Sequence, residues 1–261
     1  MPARRYRRAL EYQYRRFNRR CFVRPDPLEA LYAYEDPADR EVVGLIASSL
    51  AYGRVAQILR SVGRVLGPMG PSPARFLRDT NPARLARTFA GFKHRFTTDQ
   101  ELVALLAGAR RVRRRRGSLE ACLARAVGPK DQTVLPALRA LTGEIAAAGR
   151  PGSLLPDPAR GSACKRLNLF LRWMARRDDV DPGPWRSVPA RLLVVPLDTH
   201  MHAIARALGL TRRRSADLRT ALEVTEAFRA VRPDDPVRYD FSLTRLGIHP
   251  DARPCEFLSR M

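Results

Sequence analysis

For a chain with a formal charge of +22, lysine is rare: it stands only at positions 93, 130 and 165, so 45 of the 48 cations are arginine. Arginine keeps its proton at any working pH, whereas lysine can release it. In this background a lysine is either chance or a place that needs a deprotonatable amine. Cysteine is also sparse. Cys21, Cys122, Cys164 and Cys255 are scattered with no metal-ligand spacing, so they read as free thiols rather than a disulfide framework or a metal site. No apolar run approaches the roughly 20 residues of a membrane span. The opening Met1-Pro2-Ala3-Arg4-Arg5 leads into charge without an apolar signal core. The expectation is a cytoplasmic, nucleoid-associated protein with no membrane partner. Strand signals are nearly absent, which predicts an all-α fold.

What is present is charge and enough apolar sequence to bury a core. Of the 261 residues, 45% are hydrophobic, as in a globular protein, and the pI is about 11.3. The excess of cations favours a polyanionic partner, because each neutralised phosphate releases counterions. Nucleic acid comes first and an anionic membrane second. The bland alternative is a solvated surface.

Residues 4–20 interleave arginine with Tyr6, Leu10, Tyr14 and Phe17 at helical spacing, a basic amphipathic helix. Asp39 is expected to cap an apolar helix from Val42 to Ala51. Gly53 breaks it before a second helix from about Val55 to Leu66, which Pro68, Pro71 and Pro73 close. Short helices follow at 73–78 and 82–88, then the aromatic-basic segment Phe89 to Phe96. Further helices are expected from Thr98 to about Arg114, from Ser118 to Ala126 and from Thr133 to Ala148. Glycines and prolines at 149–161 predict a loop. Beyond it come a helix at 163–177, the apolar run Leu192–Leu197, and helices near 199–208, 215–231 and 235–246.

Two segments could carry chemistry. In Gly161-Ser162-Ala163-Cys164-Lys165, Ser162 is a good N-cap, which puts Lys165 third in its helix. There the dipole and free N–H groups disfavour an ammonium, so the amine is a candidate nucleophile for Schiff-base chemistry. A surface lysine near a helix start is the competing explanation. In Val195-Pro196-Leu197-Asp198-Thr199-His200, Asp198 precedes an amphipathic helix ended by Gly209. Capping alone accounts for it. A carboxylate there could also polarise a nucleophile or stabilise a developing oxocarbenium ion.

Taken together these segments resemble the helix-hairpin-helix DNA glycosylase/AP-lyase superfamily. In it a hairpin delivers a lysine at a helix start, and a V/P-x-D-x-H segment follows. Leu45-Ile46-Ala47-Ser48-Ser49-Leu50 and Phe241-Ser242-Leu243-Thr244-Arg245-Leu246-Gly247 resemble an early and a late family helix, so the likeness spans about residues 40–250. The long interval between Lys165 and Asp198 is similar to the archaeal 8-oxoguanine glycosylase branch. The chain also resembles an uncharacterised bacterial family of similar length. The resemblance implies a two-lobed all-α fold with a cleft, treated as one unit over 1–261. Its parts would be a basic N-terminal helix (1–25), a helical lobe (about 26–160) and a catalytic hairpin with the Asp segment and closing helices (about 161–250). It implies Lys165 and Asp198 as catalytic pair. Tyr52 or Arg54 would fill the vacated stack, Gly161 and Ser162 would lie at the DNA-binding hairpin, and Trp185 or Asp240 would touch the base. The expected partner is lesion-bearing double-stranded DNA, bound by a monomer, with an oxidised purine such as 8-oxoguanine as first substrate.

The sequence departs from the family in three places. The usual L-P-G-V-G-x-K hairpin is Pro158-Ala159-Arg160-Gly161-Ser162-Ala163-Cys164-Lys165, and Tyr52-Gly53-Arg54 replaces the gap-filling glutamine. Only Cys255 stands where some members hold a four-cysteine iron–sulfur site, so no cluster and no other cofactor is expected. Two other functions compete. One is a non-catalytic nucleic-acid-binding protein on the same scaffold. The other, more remote, is a metal-dependent hydrolase using His200-x-His202, although residues two apart on a helix diverge.

Overall fold

The computed structural model describes residues 5–247, and nearly all of its regular structure is helical. Helix α1 (Arg7–Phe17) turns Leu10 and Phe17 into the core and its arginines outward. Most later helices start where a side-chain oxygen takes a free backbone N–H. Asp36 opens α2 (Pro37–Ser49), and α3 (Val55–Leu66) follows. Ser72 caps α4 (Pro73–Asp79), and Asn81 caps α5 (Pro82–Thr88). A two-stranded hairpin, β1 (Lys93–His94) against β2 (Thr97–Thr98), leads into α6 (Asp99–Arg116). Thr98 and Glu101 form a reciprocal capping box there. Ser118 caps α7 (Leu119–Arg125), and α8 (Leu135–Ala146) precedes the loop toward α9 (Lys165–Ala175). Asp198 caps α10 (Thr199–Ala207), Asp217 caps α11 (Leu218–Arg229), and α12 (Asp240–Thr244) ends in a 3-10 turn, Arg245–Gly247.

Four local expectations need correction. Asp39 is not the cap of α2, since Asp36-Pro37 starts the helix earlier. The Asp39 carboxylate instead accepts Ser72 Oγ–H at 2.9 Å and Ala74 N–H at 2.7 Å, tying α2 to α4. Ser162 is not the cap of α9. The chain turns once more at Cys164, so Lys165 is the first helical residue rather than the third. The helix expected at 235–246 is only α12 and its 3-10 turn. The segment ending at Phe96 contributes a hairpin that helical spacing did not show.

The described residues share one apolar core reaching from Tyr6 to Leu246. Helix α2 is its axis, buried almost continuously from Glu41 to Ser49 and packed against α9, α3, α4 and the 3-10 segment Pro27–Ala33. Helix α6 crosses α8 closely enough that a Cβ on Gly108 would lie 2.2 Å from the Ile145 carbonyl oxygen, so glycine is required there. The run Leu192–Leu197 is buried, leaving a 3-10 turn (Ala190–Leu192), and Val195 N–H donates to Thr225 Oγ1 at 3.0 Å. Among the described residues no helix is long and apolar enough to cross a membrane. Cys21 is exposed, Cys122 and Cys164 are buried, and all three are free thiols. Cys255 and His249 lie outside the described residues.

Candidate active site

Two tight turns deliver Lys165. Gly161 (φ 75°) and Cys164 (φ 48°) both adopt the left-handed conformation, and the second reverses the chain into α9. Cys164 is a non-glycine residue in that conformation, so its surroundings must hold it there. They do so through hydrogen bonds. Its N–H donates to Ser162 Oγ (3.2 Å), Asn168 Nδ2 donates to the Ala163 carbonyl (2.9 Å), and Leu218 N–H donates to the Gly161 carbonyl (2.9 Å). The Cys164 thiol is buried, and burial pushes its pKa up, so it stays a thiol.

Asp198 arrives from the buried Leu192–Leu197 run. Its Oδ1 accepts the Met201 N–H at 2.8 Å and caps α10, while Oδ2 lies 3.3 Å from Lys165 Nζ. One carboxylate therefore caps α10 with one oxygen and meets the lysine amine with the other. The lysine side chain is 34% exposed and the aspartate 21%, so the pair is reachable from solvent.

The pair opens on a cavity of about 190 Å³ that is also lined by Val55, Arg172, Asp240, Phe241 and Arg245. Lys165, Leu169 and Arg172 line it at i, i+4 and i+7 of one helix face. Asp240 is buried. Oδ2 accepts from Arg172 Nη1, and Oδ1 has no hydrogen-bond partner among the described residues. Burial raises its pKa, Arg172 opposes this, and the negative charge of Asp198 adds to the rise, so Asp240 is pushed up to about 6. Arg245 donates to Asp26 Oδ2 at 3.1 Å, its guanidinium lies 4.4 Å over the Phe241 ring, and its Nε has no partner among the described residues. Two roomier hollows lie elsewhere. One, of about 400 Å³, is rich in arginine, including Arg75, Arg110 and Arg114, and the other, of about 480 Å³, contains Tyr32 and Leu66. Neither contains a lysine or a cysteine, so the chemistry points to the smaller cavity.

The structure brings Asp240 into the same cavity as Lys165 and Asp198. It places Trp185 elsewhere: the indole is 4% exposed, its Nε1 donates to Glu41 Oε1 at 3.1 Å, and its ring packs edge-on against Phe170. Trp185 is a core residue and does not line the Lys165 cavity. Gly161 and Ser162 are exposed on the hairpin beside Lys165, and Arg54 is exposed just before α3. The Tyr52 hydroxyl is committed to the β-hairpin, donating to the His94 carbonyl (3.0 Å) and lying 2.6 Å from Thr97 Oγ1. His202 Nε2 pairs with the Arg213 carbonyl at 3.0 Å while His200 is exposed. Among the described residues no three His, Cys, Asp or Glu side chains gather as a metal-binding group.

Sequence reading missed Arg172, Phe241 and Arg245 in the cavity wall. Arg172 was legible from its seven-residue spacing to Lys165. Alternation in Phe92-Lys93-His94-Arg95-Phe96 was the sign of a strand.

No curated protein and no solved structure matches the chain. One family model, described as a protein of unknown function (DUF2400), matches residues 26–249 and so spans Lys165, Asp198 and Asp240. The chain belongs to the DUF2400 family.

Proposed function

We propose that the protein is a base-excision DNA glycosylase with AP-lyase activity. The observation that carries this reading is the Lys165 amine, one-third exposed at a helix start, 3.3 Å from the second oxygen of the Asp198 carboxylate at the mouth of a small cavity. The resemblance of both segments to the helix-hairpin-helix superfamily and the charge of +22 support it, and nothing in the family description bears on it.

In this reading a damaged nucleotide leaves the duplex and its base enters the cavity. Asp198 Oδ2 takes a proton from Lys165, and the amine attacks C1′ of the sugar. The N–C1′ bond forms as the C1′–base bond breaks, and the base departs with the electron pair and gains a proton. Ring opening gives an iminium, and loss of a C2′ proton then expels the 3′ phosphate. Asp198 also stabilises positive charge developing on the sugar. The cavity is smaller than the ~300 Å³ lower bound of drug-sized pockets, which suits one ring system. Asp240 and Arg245 both line it, and each has a buried polar atom without a partner among the described residues, in keeping with recognition of a base edge. An oxidised purine such as 8-oxoguanine is the first substrate to try.

Borohydride trapping on abasic and 8-oxoguanine duplexes tests the reading. A covalent adduct with wild type, absent in Lys165→Gln, is the expected result. Salt-dependent binding without adduct, base release or nicking across a lesion panel would leave the alternative, a nucleic-acid-binding protein that uses the same surface without chemistry.

A further inference from the structure

The arginine-rich hollow of about 400 Å³ lies at the start of α2, where Asp36 and Ala38 line it. The Lys165 cavity begins beyond the other end of that helix, at Ala51. Thirteen helical residues run between them, roughly 20 Å at 1.5 Å per residue, so the two are distinct places. Ala74 and Leu77 of α4 are buried in the wall of the hollow. Around them stand five arginines from two helices. Arg75 and Arg78 come from α4, three residues apart. Arg110, Arg113 and Arg114 come from α6 at i, i+3 and i+4, one face of that helix.

In a chain with 45 arginines some hollow will be basic by chance, so the partners of each cation decide what it means. Arg113 is neutralised by Glu41, and Arg75 and Arg78 share the exposed Asp79 at 3.6 and 2.8 Å. The acids at the rim are engaged as well. Asp36 accepts Ala38 N–H at 2.6 Å, and Asp39 accepts from Ser72 and Ala74. Arg110 and Arg114 have no ion pair among the described residues. Arg114 is exposed, but Arg110 is partly buried and its Nε is buried without a hydrogen-bond partner among those residues. Arg229, Arg238 and Arg245 also bury one unpartnered nitrogen, yet each makes an ion pair through another. Arg110 makes none. The negative end of the helix dipole accounts for arginines in the last turn of α6, where Arg113 and Arg114 stand, and Arg110 lies before that turn. A buried N–H without a partner costs free energy, and a fold that keeps one leaves it for water, an ion or a ligand to complete.

We propose that this hollow binds a small phosphorylated ligand of nucleotide size, at a site separate from the Lys165 cavity. The phosphate sits against Arg110 and Arg114, whose planar guanidinium groups match phosphate oxygens two at a time. Arg75 and Arg78 join it from α4, since an exposed ion pair such as theirs with Asp79 is weak and exchanges readily. Ala38, Ala74 and Leu77 receive the apolar part of the ligand. The volume falls within the roughly 300–1,000 Å³ of small-molecule sites, whereas a nucleic-acid backbone needs a groove that continues past it. The site does not depend on chemistry at Lys165.

Calorimetric titration with AMP, inorganic phosphate and a short DNA duplex, each at the same ionic strength, tests the site. Wild type should bind one equivalent of AMP saturably, and inorganic phosphate should compete for it more weakly. Arg114→Gln, an exposed change, should weaken AMP binding about 10-fold, the loss of one charge-assisted hydrogen bond. Arg110→Met should weaken it as much. Without ligand it should melt no lower than wild type, because it removes a cation that has no partner. Arg139→Gln, at an exposed arginine of α8 outside the hollow, removes the same charge and should leave AMP binding unchanged. Equal weakening in Arg139→Gln reduces the effect to net charge and overturns the site. Wild type that binds neither AMP nor phosphate overturns it too, as does AMP binding that survives in both Arg110→Met and Arg114→Gln. Loss of affinity for the duplex alone in those two variants assigns the hollow to nucleic-acid backbone, and the small-ligand proposal fails. Borohydride trapping reads the other cavity, so the two proposals can fail separately.

Discussion

Seven residues apart on α9, Lys165 and Arg172 each face a carboxylate, and the two pairs differ in almost every physical respect. Lys165 is one-third exposed and meets a single aspartate that already caps another helix. Arg172 is 4% exposed and is shared between Asp181 at 3.2 Å and Asp240. Arg176, one turn further on, binds Asp178, Asp181 and Asp235. Two buried guanidinium groups thus serve four carboxylates, which leaves an excess of negative charge in a dry place. Burial is the main reason the pKa values of Asp181, Asp235 and Asp240 all move up, with neighbouring carboxylates adding to the rise and the arginines opposing it. Charge that must be permanent is carried by arginine. The one lysine on the helix stands at the partly exposed mouth of the cavity.

Breaking the arginine side should have the largest effect on stability. Arg172→Met leaves Asp181 and Asp240 buried without their shared cation, a change of about 3–5 kcal/mol by the usual cost of removing one partner of a buried pair. Urea denaturation should show it as a lower midpoint with unchanged slope. An effect below about 1 kcal/mol would mean that the cluster is solvated and the contrast with Lys165 false.

The pH dependence sharpens the same point. An acid held above its unfolded value keeps its proton in the folded chain after the unfolded chain has lost it. The contribution of Asp240 is therefore fully present below its unfolded value near pH 4, declines as pH rises to about 6, and is level above that. Asp240→Asn should remove this decline, so the stability of the variant relative to wild type should grow between pH 4 and 6. Denaturation midpoints at half-unit intervals would measure it, and a flat difference would place the proton elsewhere in the cluster.

The two oxygens of Asp198 can be separated. Asp198→Ala removes the cap of α10, a loss of about 1 kcal/mol, and Asp198→Asn can keep the cap with changes of only a few tenths of a kcal/mol. Both should abolish or strongly reduce trapping, so chemistry and stability part company in the asparagine variant. Lys165→Gln should have the smallest effect on folding, under about 1 kcal/mol, because a partly exposed ion pair contributes little. Thermal melting of the two variants side by side checks both statements.

How much of this could be read beforehand depends on the range of the forces involved. Helix starts at Ser118 and Thr98, and the short helices near 73 and 82, follow local rules, and they stand where the sequence put them. The cap of α9 was misplaced, because whether the chain turns at Ser162 or at Cys164 depends on Leu218 and Asn168 holding the loop. Lys165 and Asp198 were singled out from their own segments, and their 3.3 Å separation needed the fold. Trp185 was expected to touch the base only from the family resemblance. Only the tertiary structure supplies Glu41, 144 residues earlier, as partner for its indole N–H.

The central claim is that the Lys165 amine is a nucleophile activated by Asp198. Sodium borohydride trapping on an abasic-site duplex tests it most directly, with wild type, Lys165→Gln and Asp198→Asn compared at equal, verified folding. The account predicts a covalent protein–DNA adduct in wild type, none in Lys165→Gln, and a strongly reduced yield in Asp198→Asn. An adduct undiminished in Lys165→Gln, or none in wild type that nonetheless binds the duplex, would contradict it.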